Sequence, residues 1–171
     1  MKMLKILLCV LMILTTFHCG YKLAGTSSII PAELKTIFIP DFGNKTTKFQ
    51  ASEFISNAIR DEFIQRTKLK LVNSITKADS KIEGKITGFK LSPVSYASDG
   101  NANLYEVLIV INLSFINLKT GEIIYKVSKL QFTDSYNLES GDSVGFENEA
   151  LRKIAKRFAS QTLIAIFTGI D

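Results

Sequence analysis

The stretch LYEVLIVINLSFI, residues 104–116, decides the fold of this chain. It is rich in β-branched and aromatic residues, and successive side chains of a strand point to opposite faces. One face then carries Tyr105, Val107, Ile109, Ile111, Leu113 and Phe115, and the other carries Glu106, Leu108, Val110, Asn112, Ser114 and Ile116. The first set predicts a floor for packed helices, and the second predicts a more polar face.

Two segments have the apolar spacing of amphipathic helices. The first is predicted at about 50–66, with an apolar stripe at Phe54, Ile55, Ala58, Ile59 and Phe63. The second is predicted to end near Gly169, with a stripe at Leu151, Ile154, Ala155, Phe158, Ala159 and Thr162. Both stripes are expected to cover the apolar face of the long strand.

Other strands are predicted at 36–39, 81–89 and 122 to about 132, with a further extended segment at 69–72. The polar stretches 92–103 and 133–145 are typical of loops, and Gly121 suits the left-handed position of a hairpin turn. Gly84 and Gly88 favour a bulge or close packing under an aromatic ring. The fold class is therefore α/β, of the α+β kind, with two amphipathic helices packed on one face of a mixed, mainly antiparallel four-stranded sheet.

The length of 171 residues, with 46% hydrophobic and 22% charged residues, indicates one globular domain. Residues 1–18 are predicted to be a lipoprotein signal peptide, because Lys2 and Lys5 precede an apolar run at 6–14 that is too short to span a bilayer. Cys19 is the expected lipidation site, 19–34 the linker from the lipid anchor, and 35–171 the single folded domain. Ordinary cleavage and an uncleaved anchor remain the alternatives.

Reactive residues are scarce, since the only His and both Cys lie within the first 19 residues. After cleavage before Cys19, the chain would hold no His and one acylated Cys. This inventory argues against an enzyme, a metal site and a cofactor. The net charge of +5 favours anionic partners, but no nucleic-acid-binding motif accompanies it, so binding to nucleic acid is not expected.

Lysines are expected on the second face of the sheet, the one that two helices on a single side would leave uncovered. Alternation places Lys81, Lys85 and Lys126 there, together with Leu108, Val110 and Ile124. A mixed apolar and basic surface of this kind is typical of a site for a partner or an amphiphilic anion. The alternative is that a loop or a second copy covers the face and that the lysines only solvate its edges.

Two blocks of sequence resemble the beginning of the LPS-assembly lipoprotein family, LptE. They are CGYKLAG at 19–25 and IFIPDFGNKT at 37–46. Further similarity lies in IEGKI at 82–86, in the TGE hairpin at 120–122 and in EAL at 149–151. The resemblance covers nearly the whole chain after the signal peptide.

The resemblance implies a lipid-anchored outer-membrane protein at the periplasmic face. It also implies that the protein plugs and helps assemble the LptD barrel, takes part in lipopolysaccharide transport to the cell surface and binds lipopolysaccharide. Lys81, Lys85 and Lys126 are the expected contacts for the phosphates of the glycolipid. The alternative function is a stand-alone lipoprotein that binds a hydrophobic or anionic ligand through the uncovered sheet face.

Overall fold

The computed structural model describes residues 30–138 and 143–168. The predicted signal peptide, the predicted lipidation site Cys19 and most of the predicted linker lie outside these ranges. No helix within the described ranges is long and apolar enough to span a membrane. The elements, in chain order, are β1 Thr36–Phe38, β2 Gly43–Asn44, α1 Gln50–Arg66, β3 Lys70–Val72, β4 Ser80–Tyr96, β5 Ala102–Asn117, β6 Ile123–Asn137 and α2 Ser143–Thr168.

The sheet has six strands, so the expected four-stranded sheet is wrong, although the mixed α+β class is confirmed. The strand order is β3-β1-β4-β5-β6, and β2 pairs with β4. The pairs that involve β1, β2 and β3 are parallel, whereas β4, β5 and β6 are antiparallel. Of the two extra strands, β3 is the extended segment predicted at 69–72, and β2 has only two residues, which is too short to show an alternating pattern.

Both stretches predicted as loops contain strand, at 92–96 and 102–103 in the first and at 133–137 in the second, and residues 143–145 of the second belong to α2. Ser92 pairs with Glu106 in the first, and Leu104 pairs with Asn137 in the second. Only residues 97–101 connect β4 to β5. Most side chains at these strand ends are polar and at least partly exposed, so no apolar alternation marks them as strands.

One hydrophobic core joins the helices to the sheet, and it confirms the predicted core face of β5. Val107, Ile109, Ile111, Leu113 and Phe115 are all buried, as are most residues of both helix stripes. Aromatic rings connect the layers edge to face. These ring pairs are Phe42 with Phe158, Phe132 with Phe158, and Phe63 with Phe115.

Glycines in the sheet have the roles that their sequence positions predict. A side chain on Gly84 would collide with the Phe42 ring, so the glycine is required by close packing under an aromatic ring. Gly88 lies at a β-bulge beside Val110. Gly121 has a φ of 76°, the left-handed conformation of its hairpin turn.

Asp79 joins β1 to the β5–β6 turn. Its Oδ2 accepts hydrogen bonds from the backbone N–H groups of Lys35 and Thr36 at 2.8 and 3.0 Å, and its Oδ1 lies 2.8 Å from Nζ of Lys119. Lys119 first, and then the backbone N–H of Lys35, hold the pKa of Asp79 well below its ordinary value of 3.8. The ionised carboxylate is therefore the form that this junction requires.

We expect Asp79→Asn to lower the melting temperature at neutral pH, because the substitution removes the charge that Lys119 pairs with. A depressed folded-state pKa means that the unfolded chain binds the proton more readily, so the contribution of Asp79 is present above about pH 4 and declines as the pH falls further. The difference in melting temperature between wild type and variant should shrink in that acidic range. Thermal unfolding followed by circular dichroism checks this, and a constant difference would contradict the assignment.

Candidate functional site: the open face of the sheet

The open face is the face of β4, β5 and β6 opposite the helices. The strand register shows which residues lie side by side on this face. Lys81 pairs with Ile116, Lys85 pairs with Asn112, and Glu83 pairs with Ser114, which in turn pairs with Lys126 on β6. The structure thus brings the three predicted lysines to one face.

The three lysines differ in their surroundings. Nζ of Lys81 lies 2.6 Å from Oε2 of Glu83, and the Lys81 side chain is only 23% exposed. Lys85 and Lys126 are exposed, and neither makes an ion pair within the described ranges. Lys85 and Lys126 are therefore the cations of this set that are available to an anionic ligand, whereas Lys81 is largely neutralised by Glu83.

A depression of about 380 Å³ lies beside Lys85 on this face. Its lining includes Gly43, Glu83, Asn112 and Ser114. Oδ1 of Asn112 accepts a 2.7 Å hydrogen bond from the backbone N–H of Lys129, which leaves the amide nitrogen of Asn112 as a donor. The depression thus offers an ammonium, an amide and a hydroxyl to a polar ligand.

The other part of the open face is apolar. Val110 pairs with Gly88, and Leu108 pairs with Lys90. The bulge between Ile86 and Gly88 changes the alternation of β4, which puts Lys90 on the open face beside Leu108. Strict alternation from Lys85 would have placed Lys90 on the core face. The bulge therefore adds a cation beside the apolar residues.

The expected position of Ile124 on this face is wrong. A bulge between the pairs Phe115–Tyr125 and Ile116–Ile123 leaves Ile124 without a direct partner. Ile124 packs against the core, and Ile123 lies opposite Ile116 with its side chain exposed. The apolar content of the face remains, but a different isoleucine supplies it.

A second basic set, on the outer side of α2, has local partners. The guanidinium of Arg152 lies 4.9 Å from the centre of the Phe54 ring, and Nζ of Lys153 lies 3.0 Å from Glu149. Arg157 donates to the backbone carbonyl of Thr133. Glu149 raises the pKa of Lys153, first through its hydrogen bond and then through its charge. These residues are accounted for by local contacts and solvation.

The described ranges contain no cluster of three or more His, Cys, Asp or Glu side chains that could hold a metal ion. The open face instead combines unpaired ammonium groups with leucine and valine side chains. Such a surface suits an amphiphile that has anionic groups beside hydrocarbon.

Comparisons with known proteins match the chain to one family. The family model described as LptE, lipopolysaccharide-assembly, matches residues 34–166. No curated protein matches the sequence.

Solved structures share the fold at low identity. An uncharacterized lipoprotein B from Nitrosomonas europaea is 18% identical, with a TM-score of 0.50 over 88% of this chain and 92% of that one. A hypothetical protein from Chlamydia trachomatis is 8% identical, with a TM-score of 0.53 over 78% and 98% of the two chains. PelC from Paraburkholderia phytofirmans, a dodecamer, is 11% identical, with a TM-score of 0.50 over 78% and 89%. At these identities the likeness concerns the fold alone.

Proposed function

This chain belongs to the lipopolysaccharide-assembly family LptE, and we propose that it is a non-enzymatic lipoprotein subunit of the outer membrane. In this proposal it plugs and helps assemble the LptD barrel, binds lipopolysaccharide and takes part in its transport to the cell surface. The acylated Cys19 anchors it at the periplasmic face. The observation that carries the proposal is the family match over residues 34–166, which includes all six strands, α1 and all but the last two residues of α2.

The open face supports the proposed binding of lipopolysaccharide. Phosphate groups form strong charge-assisted hydrogen bonds with ammonium groups, and neither Lys85 nor Lys126 makes an ion pair within the described ranges. Leu108 and Val110 provide apolar surface on the same face, with Lys90 next to Leu108. The face therefore offers both kinds of contact that an anionic glycolipid needs.

The sequence supports a role without catalysis. After Cys19 the chain contains no His and no further Cys, so catalysis through an imidazole or a free thiol would have no residue to use. The alternative function, a stand-alone lipoprotein that binds a hydrophobic or anionic ligand, uses the same open face. Association with a barrel protein distinguishes the two.

The combined substitution of Lys81, Lys85 and Lys126 by Glu is expected to weaken lipopolysaccharide binding by about tenfold or more, a change of about 1.4 kcal/mol. The reason is that each substitution replaces a cation by an anion on the face that is proposed to contact phosphate. Binding of purified lipopolysaccharide to the full-length protein, measured with wild type and variant side by side, checks this.

The matched control replaces Lys68, Lys70 and Lys77 by Glu, which changes the net charge equally. These lysines are exposed. Lys70 lies on β3, the edge strand at the opposite end of the sheet from the strand of Lys126, and Lys68 and Lys77 lie in the segments before and after β3. The control should bind like wild type. Equal losses in both variants would mean that net charge, and not the open face, determines binding.

A further inference from the structure

A second concave site lies on the other side of β6, between this edge strand and the C-terminal half of α2. We call it the edge groove, and its volume is about 350 Å³. Its apolar lining comes from residues on both elements, namely Tyr125, Val127, Leu130 and Ala165. Since Tyr125 and Val127 pair with Phe115 and Leu113 on the core face of β5, the groove lies on the core side of β6, and it adjoins the open face at Lys126.

Thr162 provides a polar group within this apolar lining. Its side chain is only 1% exposed, and its Oγ1 has no hydrogen-bond partner within the described residues. A threonine inside a helix commonly donates to the carbonyl four residues earlier, which Thr162 does not do here. A buried hydroxyl without a partner is unfavourable, so an acceptor atom on a bound ligand would stabilise this position.

Lys126 lines the groove at the edge of the sheet. It is exposed, and it makes no ion pair within the described ranges. The groove thus places an apolar lining, one buried donor and one cation side by side. A ligand that matches all three has a hydrocarbon chain, a carbonyl or similar acceptor, and an anionic group.

Addition of a peptide strand fits this edge poorly. Opposite Asn112, β6 has two residues, Ser128 and Lys129, and Lys129 has a φ of 58°. Such a bulge interrupts the regular row of backbone groups that an added strand would need. The lining therefore favours a lipid over a peptide.

We propose that the edge groove binds a single fatty-acyl chain of an anionic amphiphile. The hydrocarbon lies between β6 and α2, an ester carbonyl accepts a hydrogen bond from Thr162, and the anionic head group lies near Lys126. This site goes beyond the proposed function, because it lies on the core side of β6, shares only Lys126 with the proposed lipopolysaccharide contacts and does not require binding to Lys81 or Lys85.

The test uses the full-length protein in phosphatidylcholine nanodiscs and a lysophosphatidylglycerol that carries a photoreactive diazirine on its acyl chain. After irradiation, mass spectrometry locates the labelled residues. We expect labels within 125–130 and 161–165, and we expect excess unlabelled lysophosphatidylglycerol added before irradiation to prevent this labelling. Labels spread over the surface, or labels that the competitor leaves unchanged, would overturn the proposal.

Ala165→Phe fills the groove and should reduce the labelling by about tenfold. Ile164→Phe is the matched control, because Ile164 is the neighbouring residue and its side chain is 51% exposed. The Ile164→Phe variant should be labelled like wild type. Thr162→Val keeps the side-chain shape without the donor and should cause a smaller loss. If Ala165→Phe does not fold, the wild-type label map and Thr162→Val decide the question.

The outcomes separate this proposal from the proposed function. Full labelling of a folded Ala165→Phe variant, with lipopolysaccharide binding still sensitive to Lys81 and Lys85, would overturn only the edge groove. Specific labelling of the groove in a protein that binds no lipopolysaccharide would overturn only the open-face assignment.

Discussion

Replacing Gly84 by Val is expected to lower the free energy of unfolding by about 3 kcal/mol, at the upper end of what overpacking a core usually costs. A Cβ atom at Gly84 would lie less than 3.0 Å from three atoms of the Phe42 ring. That ring is buried and packs edge to face on Phe158, with ring centres 6.2 Å apart, so moving it would disturb the packed core. Relief would require displacement of β2 from β4. Urea denaturation of the variant measures the loss.

Gly43→Ala is the matched control, since Gly43 lies on β2 and pairs with Lys85, the residue after Gly84. A Cβ atom there would meet its nearest neighbour, Cγ of Lys85, at an ordinary contact distance of 3.7 Å. The control should change the free energy of unfolding by less than about 0.5 kcal/mol. Similar losses in the free energy of unfolding at both positions would show that the loss of glycine flexibility, and not the Phe42 contact, causes the destabilisation.

Phe158→Ala is expected to destabilise the fold by about 3 to 5 kcal/mol, the usual range for removing a fully buried phenylalanine. Phe158 lies at the centre of the aromatic contacts, with ring centres 6.2 Å from Phe42 and 5.6 Å from Phe132. Its removal leaves a cavity where α2, the segment around β2, and β6 meet. The same denaturation experiment measures this loss.

The comparison for Phe158→Ala is Ile164→Ala on the same helix. The side chain of Ile164 is about half exposed, so its truncation should cost less than about 1 kcal/mol. If Phe158→Ala cost no more than Ile164→Ala, the aromatic contacts at the centre of this core would be misassigned.

The block that gives the chain its resemblance to the family has a structural role. The backbone N–H of Phe42 donates to Oγ of Ser56 at 2.9 Å, and Oγ of Ser52 donates to the Phe42 carbonyl at 2.6 Å. Arg60 donates to Asp41 at 2.7 Å and to the Ile39 carbonyl at 3.0 Å. These contacts hold the segment from β1 to β2 against α1. They also position the Phe42 ring over Gly84. Most of the block therefore stabilises the fold, and Gly43 is the residue of the block that lines the depression beside Lys85.

Periodicity predicted the core correctly where the strands are regular. Along β5 every second residue from Val107 to Phe115 is buried, which is the pattern that residues 104–116 display in the sequence. The lysine positions on β4 followed from the same rule, because no bulge separates Lys81 from Lys85. Alternation is reliable here because each strand has only one face against the helices.

Bulges are the main reason that the rest could not be predicted. One extra residue moves all later side chains to the other face. Gly88 indicates the bulge before Lys90, but nothing in the local sequence marks the bulge at Ile124. The edge groove could not be predicted from the sequence either, because its shape depends on how α2 packs against β6. Thr162 has the spacing of an ordinary core residue, and only its missing hydrogen-bond partner distinguishes it.

Co-purification tests the central claim most directly. The full-length protein, tagged at its C-terminus, would be isolated from detergent-solubilised native membranes, and its partners identified by mass spectrometry. We expect a large outer-membrane barrel protein in equal amount, the LptD partner that family membership implies. Recovery of the chain alone, or only with copies of itself, would contradict the assignment as a barrel-associated assembly subunit.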